Sequence, residues 1–97
     1  REGSTLRGAV VTIDTFGNLI TNVSCKDYER FAGKKKTEIL FGAARFNRIV
    51  SRYSEVDTGE PLVLFGSSGF LEISMNEGNA ADYFMIETGA PVIVRKL

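Results

Sequence analysis

Phe70-Leu71-Glu72-Ile73-Ser74-Met75-Asn76 is the stretch whose reading decides the fold. Apolar and polar residues alternate with a period of two. Leu71, Ile73 and Met75 share one face, and Glu72, Ser74 and Asn76 share the other. This is a β-strand with one face turned to a core. Short runs of the same kind recur outward from it, with turn signals between them. Upstream, Gly66 to Gly69 reads as a tight loop. It follows the strand Leu62 to Phe65, which Pro61 opens after the turn Asp57-Thr58-Gly59-Glu60. Thr37 to Phe41 and Arg45 to Val50 read as two strands around Gly42. Gly8 to Ile13 and Leu19 to Val23 pair across a Phe-Gly-Asn turn. Ser24 caps one short helix, Lys26 to Ala32, that closes at Gly33. Downstream, Gly78 to Phe84 makes a short helical turn, and Thr88-Gly89-Ala90-Pro91 leads into a last strand, Val92 to Lys96. No helical period runs through any long stretch. The expectation is an all-β domain: a small closed Greek-key-like β-barrel of about seven short strands with one or two short helices, spanning residues 1–97 as a single domain.

Composition narrows the function. Hydrophobic residues make up 43% of the 97 residues and charged residues 25%, which suits one small globular domain. Twelve basic residues cancel twelve acidic ones. That balance argues against nucleic acid as the main partner, because phosphate binding needs a basic excess on one face. There is no histidine, so the commonest general base is missing. The single cysteine, Cys25, cannot form an internal disulfide, which fits a reducing cytoplasmic setting. No apolar run approaches the roughly 20 residues of a membrane span, so no membrane partner is expected. The opening Arg1-Glu2-Gly3-Ser4 reads as the start of a C-terminal piece of a longer two-domain protein.

Two polar, glycine-punctuated segments stand out. Asp14-Thr15-Phe16-Gly17-Asn18 reads either as a plain hairpin turn or as a recognition loop. In the second case Phe16 offers a stacking surface and Asn18 an amide fork for the edge of adenine. Ser67-Ser68-Gly69 stands just before the alternating strand. Its hydroxyls and free amides suit a carboxylate. The polar face Glu72, Ser74, Asn76 is either a wet outer face or the lining of a pocket. The two loops are expected to lie near one another. Lys34-Lys35-Lys36 reads as a solvated loop. Arg45-Phe46-Asn47-Arg48 interleaves aromatic and basic residues as a single-strand nucleic-acid binder would, though protection of a sheet edge explains it equally. The carboxylates are scattered, so no metal cluster is expected.

Together the two segments resemble a known family. Asp14-x-Phe16-Gly17-Asn18-x-x-Thr21-Asn22 is followed by Ser67-x-Gly69-x-Leu71-Glu72-Ile73-x-x-Asn76-x-Gly78-Asn79-Ala80-Ala81. In that order they are similar to the C-terminal domain of the S-adenosylmethionine (SAM) hydroxide adenosyltransferases. The SAM-dependent fluorinase and chlorinase belong to the same superfamily. The resemblance runs from Gly8 to about Arg95.

The resemblance implies a small β-barrel packed against a larger N-terminal α/β domain that carries the reactive residues. It implies a homotrimer, with SAM lying between the C-terminal domain of one subunit and the N-terminal domain of the next. The reaction it implies converts SAM and water to adenosine and methionine, with SAM as substrate and no further cofactor. Carried over by position, Asn18 binds the adenine edge and Phe16 packs near the base. Asp14 and Ser67 hold the amino-acid end, with Glu72 beside them. Met75 and Glu77 border the adenine, mainly through backbone. Two departures matter. Gly66 stands where the family usually has asparagine, and Ser68 stands where halogenating members carry arginine, which favours a hydroxide-type member. No catalytic residue is assigned to this segment, and alone it is expected to be inactive. The second reading is a non-enzymatic barrel that binds single-stranded nucleic acid or serves as an oligomerisation module.

Overall fold

A computed structural model describes residues 4–97. Its strands are β1 (Thr5–Ile13), β2 (Leu19–Ser24), β3 (Thr37–Phe41), β4 (Ala44–Phe46), β5 (Pro61–Phe65), β6 (Phe70–Met75) and β7 (Pro91–Lys96). Two short helices, α1 (Cys25–Ala32) and α2 (Ala80–Phe84), and a 3-10 turn at Tyr53–Glu55 complete it. The strands form one antiparallel sheet in the order β4-β3-β7-β1-β2-β6-β5. The sheet curls until its two outer strands approach. Val50, just beyond β4, donates its N–H to Val63 O of β5 at 2.9 Å, so the barrel is nearly closed.

Alternation puts one face of every central strand into a shared core. Val10, Leu19, Ile39, Phe41, Val63, Leu71, Ile73, Val92 and Val94 are all at most 1% exposed and belong to one cluster. The expected inward set Leu71, Ile73 and Met75 of β6 is buried there. The helices follow their caps. Ser24 Oγ accepts from Asp27 N at 3.0 Å, and Asn79 Oδ1 accepts from Asp82 N at 2.9 Å.

Two expectations need correction. The strand expected over Arg45 to Val50 keeps only Ala44–Phe46. Val50 buries its side chain with Leu62 and Leu64 in a second, smaller cluster, with Val56 packed against it. That burial and the bond to Val63 draw the chain off the β3 ladder, overriding local β-propensity.

The same segment corrects the reading of the polar face of β6. Leu62 lies opposite Ser74, and Leu64 opposite Glu72. Residues 47–60 therefore form a strap over the outer face of the β5–β6 hairpin. Ser74 beneath it is fully buried, and its hydroxyl has no hydrogen-bond partner among the described residues. Asn76 fastens the strap. Its Nδ2 donates to Val56 O at 2.9 Å, its N–H to Glu60 O at 3.1 Å, and its carbonyl accepts from Gly59 N at 2.8 Å. Neither a wet face nor a pocket lining describes Ser74 and Asn76.

The two loops, expected near one another, flank one strand pair. Leu19 pairs with Ile73, while Ser24, at the other end of β2, pairs with Phe70. Gly69 O accepts from Cys25 N at 2.8 Å, next to that far end. The Asp14–Asn18 turn and the Ser67–Gly69 turn therefore lie at opposite ends of the β2–β6 ladder. The offset is three residues along β6, about 10 Å, against five along β2, where a register shift takes up the difference.

Candidate functional site

Asp14 organises its turn from within. Its Oδ1 accepts from Phe16 N and Asn18 N, both at 2.9 Å, and its Oδ2 accepts from Asn18 Nδ2 at 2.9 Å. Burial alone would raise its pKa. The hydrogen bonds from the Asn18 side chain and from the turn's amides outweigh burial and hold the carboxyl below its ordinary value. A carboxylate can only accept, so the Asn18 amide must turn its nitrogen to Asp14. Its oxygen then faces outward, where Tyr53 donates its hydroxyl to Asn18 Oδ1 at 3.4 Å. That contact is longer than an ordinary hydroxyl bond, so the oxygen keeps accepting capacity.

The turn rests on α2. Ala81 N donates to Gly17 O at 2.9 Å. Gly17 has φ 84°, and a Cβ on it would overlap the Asn79 side chain, so only glycine fits. The two motif segments, distant in sequence, meet at this point.

Phe16, Asn18, Tyr53, Met75, Glu77 and Gly78 line an open cleft of about 280 Å³. Phe16 is 76% exposed, a large apolar surface beside the cleft. Met75 is buried on the core face, as its place in the alternation required. Glu77 has φ 57°, a left-handed conformation that costs a non-glycine residue about 1–2 kcal/mol. Tyr53 is the member that the sequence did not reveal. It sits on the strap, in a 3-10 turn with no periodic signal, 35 residues from the asparagine it touches.

Glu72 lies between the two turns. A Cβ on Gly66 would overlap its carboxyl group, so that carboxyl is seated against the Gly66 backbone. Burial, then the negative charge of Asp14, push its pKa above the ordinary glutamate value. The Gly66 departure thus makes room for Glu72. Beyond it, Ser67 and Ser68 are exposed on a turn held by Gly69 N to Gly66 O at 3.0 Å and Gly66 N to Phe70 O at 3.1 Å. Asn18, Asp14, Glu72 and Ser67 thus follow one another from the cleft to the far turn.

Other motif residues are structural. Thr21 Oγ1 donates to Leu71 O at 2.8 Å and accepts from Val23 N at 3.1 Å. Asn22 Oδ1 accepts from Ala9 N at 2.9 Å, next to the register shift in β1. The basic run at 45–48 is paired internally. Arg45 and Arg95 both meet the buried Glu38 carboxylate, and both Arg48 Nη atoms donate to Glu55. Arginines committed to carboxylates make poor phosphate ligands, so the nucleic-acid reading is not favoured. Among the described residues no cluster of three or more potential metal ligands occurs, and no helix is long and apolar enough to cross a membrane.

Comparison with known proteins points the same way. The family model for the SAM hydroxide adenosyltransferase C-terminal domain matches residues 8–93. The (R)-S-adenosyl-L-methionine hydrolase of Thermus thermophilus is 32% identical over 85 residues, covering 88% of this chain and 30% of that protein. A crystal structure of an uncharacterized conserved protein from Thermotoga maritima superposes with a TM-score of 0.79 at 30% identity. It matches 98% of this chain and 37% of the other. That of a conserved hypothetical protein from Thermus thermophilus gives 0.73 at 31% identity, matching the whole chain and 36% of the other. The chain thus spans about a third of the length of each relative. With its barrel and both motif segments in place, the chain belongs to the SAM hydroxide adenosyltransferase family and corresponds to its C-terminal domain.

Proposed function

We propose that this domain binds the adenosine and methionine parts of SAM for an enzyme that cleaves SAM with water to adenosine and methionine. The observation that carries this reading is the Asp14–Asn18 cage. It fixes an amide with its oxygen toward a cleft walled by Phe16 and Tyr53. Asn18 Oδ1 accepts from the adenine amine, and the second hydrogen of Nδ2 donates to a ring nitrogen. The line from the cleft through Asp14 and Glu72 to Ser67 suits the rest of the ligand. Asp14 and Glu72 face the methionine ammonium, and the Ser67–Ser68 turn offers hydroxyls and amides to the carboxylate.

This division of labour suits the chemistry. Water attacks the ribose 5′-carbon, the carbon–sulfur bond breaks, both bonding electrons leave with sulfur as a neutral thioether, and the water's spare proton passes to solvent as the 5′-hydroxyl forms. Such a leaving group needs no general acid. Rate then rests on aligning and desolvating the nucleophile with the carbon–sulfur bond. This domain holds the electrophile, and an N-terminal α/β domain of a neighbouring subunit in a trimer supplies the water-binding groups. SAM is the substrate, and a displacement of this kind calls for no resident cofactor.

Incubation of the full-length protein with SAM, followed by chromatography, should show equimolar adenosine and methionine, and this 97-residue chain alone should release none. Absence of SAM cleavage by the full-length protein, or turnover by this chain alone, overturns the assignment.

A further inference from the structure

Glu55 makes more contacts than its exposed position requires. Its Oε2 accepts from Ser51 N at 2.7 Å and from Arg52 N at 3.1 Å. Its Oε1 accepts from Arg48 Nη1 at 3.2 Å, and its backbone carbonyl accepts from Arg48 Nη2 at 3.0 Å. These bonds surround the 3-10 turn that carries Tyr53. The turn's own backbone bonds are only two, Glu55 N to Arg52 O and Val56 N to Tyr53 O, both at 3.2 Å. A single three-residue turn with two long bonds does not hold one conformation in water. An exposed ion pair such as Arg48–Glu55 stabilises little by itself. Here the same carboxylate also satisfies two backbone donors that would otherwise face solvent.

We propose that Glu55, steadied by Arg48, is a positioning residue for the base cleft. It fixes the turn that sets Tyr53 against Asn18. The inference rests on reading that cleft as the adenine site. Glu55 does not line the cleft; it acts only through Tyr53. The strap is anchored independently on both sides of the turn. Val50 and Val56 pack against Leu62 and Leu64, and Asn76 bonds Val56. Loss of Glu55 therefore loosens the turn and leaves the barrel folded. The arginine that the sequence offered to nucleic acid serves the cleft instead.

A double-mutant cycle in the full-length protein tests this, with adenosine as the titrant in calorimetry. Glu55→Ala should weaken adenosine about five- to tenfold, the size of one lost ordered contact. Tyr53→Ala should weaken it by a similar factor. The double variant should bind no more weakly than Tyr53→Ala alone, because Glu55 then has nothing left to position. Glu55→Gln, which keeps the size and removes the ion pair, serves if the alanine variant unfolds. Multiplying losses in the double variant, or parent-like affinity in both Glu55 variants, overturns the inference while the cleft reading stands. A parent protein that binds no adenosine overturns the cleft reading and this inference with it.

Discussion

The turns at Asp14–Asn18 and Gly66–Gly69 serve opposite ends of the proposed ligand, and they are built in opposite ways. The first is finished. One carboxylate takes three hydrogen bonds from its own turn, and a helix amide holds the fourth side. The second is a bare hairpin turn. It has backbone bonds, a carboxyl group resting on its glycine, and two exposed serines. A finished turn loses little freedom when the ligand arrives, so its contacts convert into affinity. A bare turn must be ordered by the ligand or by a neighbouring domain. On the proposed reading, the adenine end is the preorganised half of the site, and the amino-acid end is the half completed on assembly.

Breaking the finished turn should have the largest effect. Asp14→Ala removes three bonds to a charged acceptor at once, and these are coupled. Urea unfolding of the isolated chain should show a loss of about 2–4 kcal/mol, with adenosine affinity of the full-length protein falling as well. A change within about 0.5 kcal/mol would mean the turn is held by α2 rather than by Asp14.

Asn18→Ala should come next. It leaves the adenine edge unpaired and should cost about 1–3 kcal/mol of adenosine affinity in the full-length protein. Alanine at Lys34, Lys35 or Lys36 should change it by no more than about 0.5 kcal/mol. Equal affinity for Asn18→Ala and the parent, with unchanged circular dichroism, would remove Asn18 from the site.

Gly66→Asn probes the bare turn with the residue that the resemblance places there. Its side chain must displace the Glu72 carboxyl. SAM affinity should fall by about fivefold while adenosine affinity stays the same, since only the amino-acid end is disturbed. Parallel losses for both ligands would erase the division between the two ends.

The smallest effect separates the two carboxylates by pH. Asp14 has a lowered pKa in the folded protein. Its stabilisation is present above the ordinary carboxylate value and is lost as pH falls through the lowered one. Glu72 has a raised pKa. Its protonated form is the one favoured by folding, so its contribution is full below the ordinary value, about 4.3, and is lost as pH rises through the raised one. Glu72→Gln should therefore melt slightly higher than the parent at about pH 7, with the gain fading below that ordinary value. A variant less stable than the parent at neutral pH would show that the charged form is paired rather than exposed to Asp14.

The alternation from Phe70 to Asn76 gave the strand and its inward face, and glycines, prolines and caps gave most element ends. These signals are local, and they are legible because each residue's own geometry enforces them. The same alternation misread Ser74 and Asn76. Period two says which residues point away from the core, but not whether another part of the chain will cover them. The covering strap has no period at all. It is held by Val50, Val56, Asn76 and Glu55 through contacts that only the folded barrel creates.

The sequence by itself determined an all-β domain of about seven strands with one or two short helices, the lack of histidine, and the turn residues Asp14, Phe16 and Asn18, but not the extent of the strand after Gly42. Tertiary structure alone decided three things. It put the two turns at opposite ends of the β2–β6 ladder, seated Glu72 on Gly66 beside Asp14, and brought Tyr53 to Asn18. The physical reason is range. Propensity, capping and alternation act within a few residues, whereas register across β2 and β6, close packing against a glycine, and the path of a strap are set by how distant strands pack together.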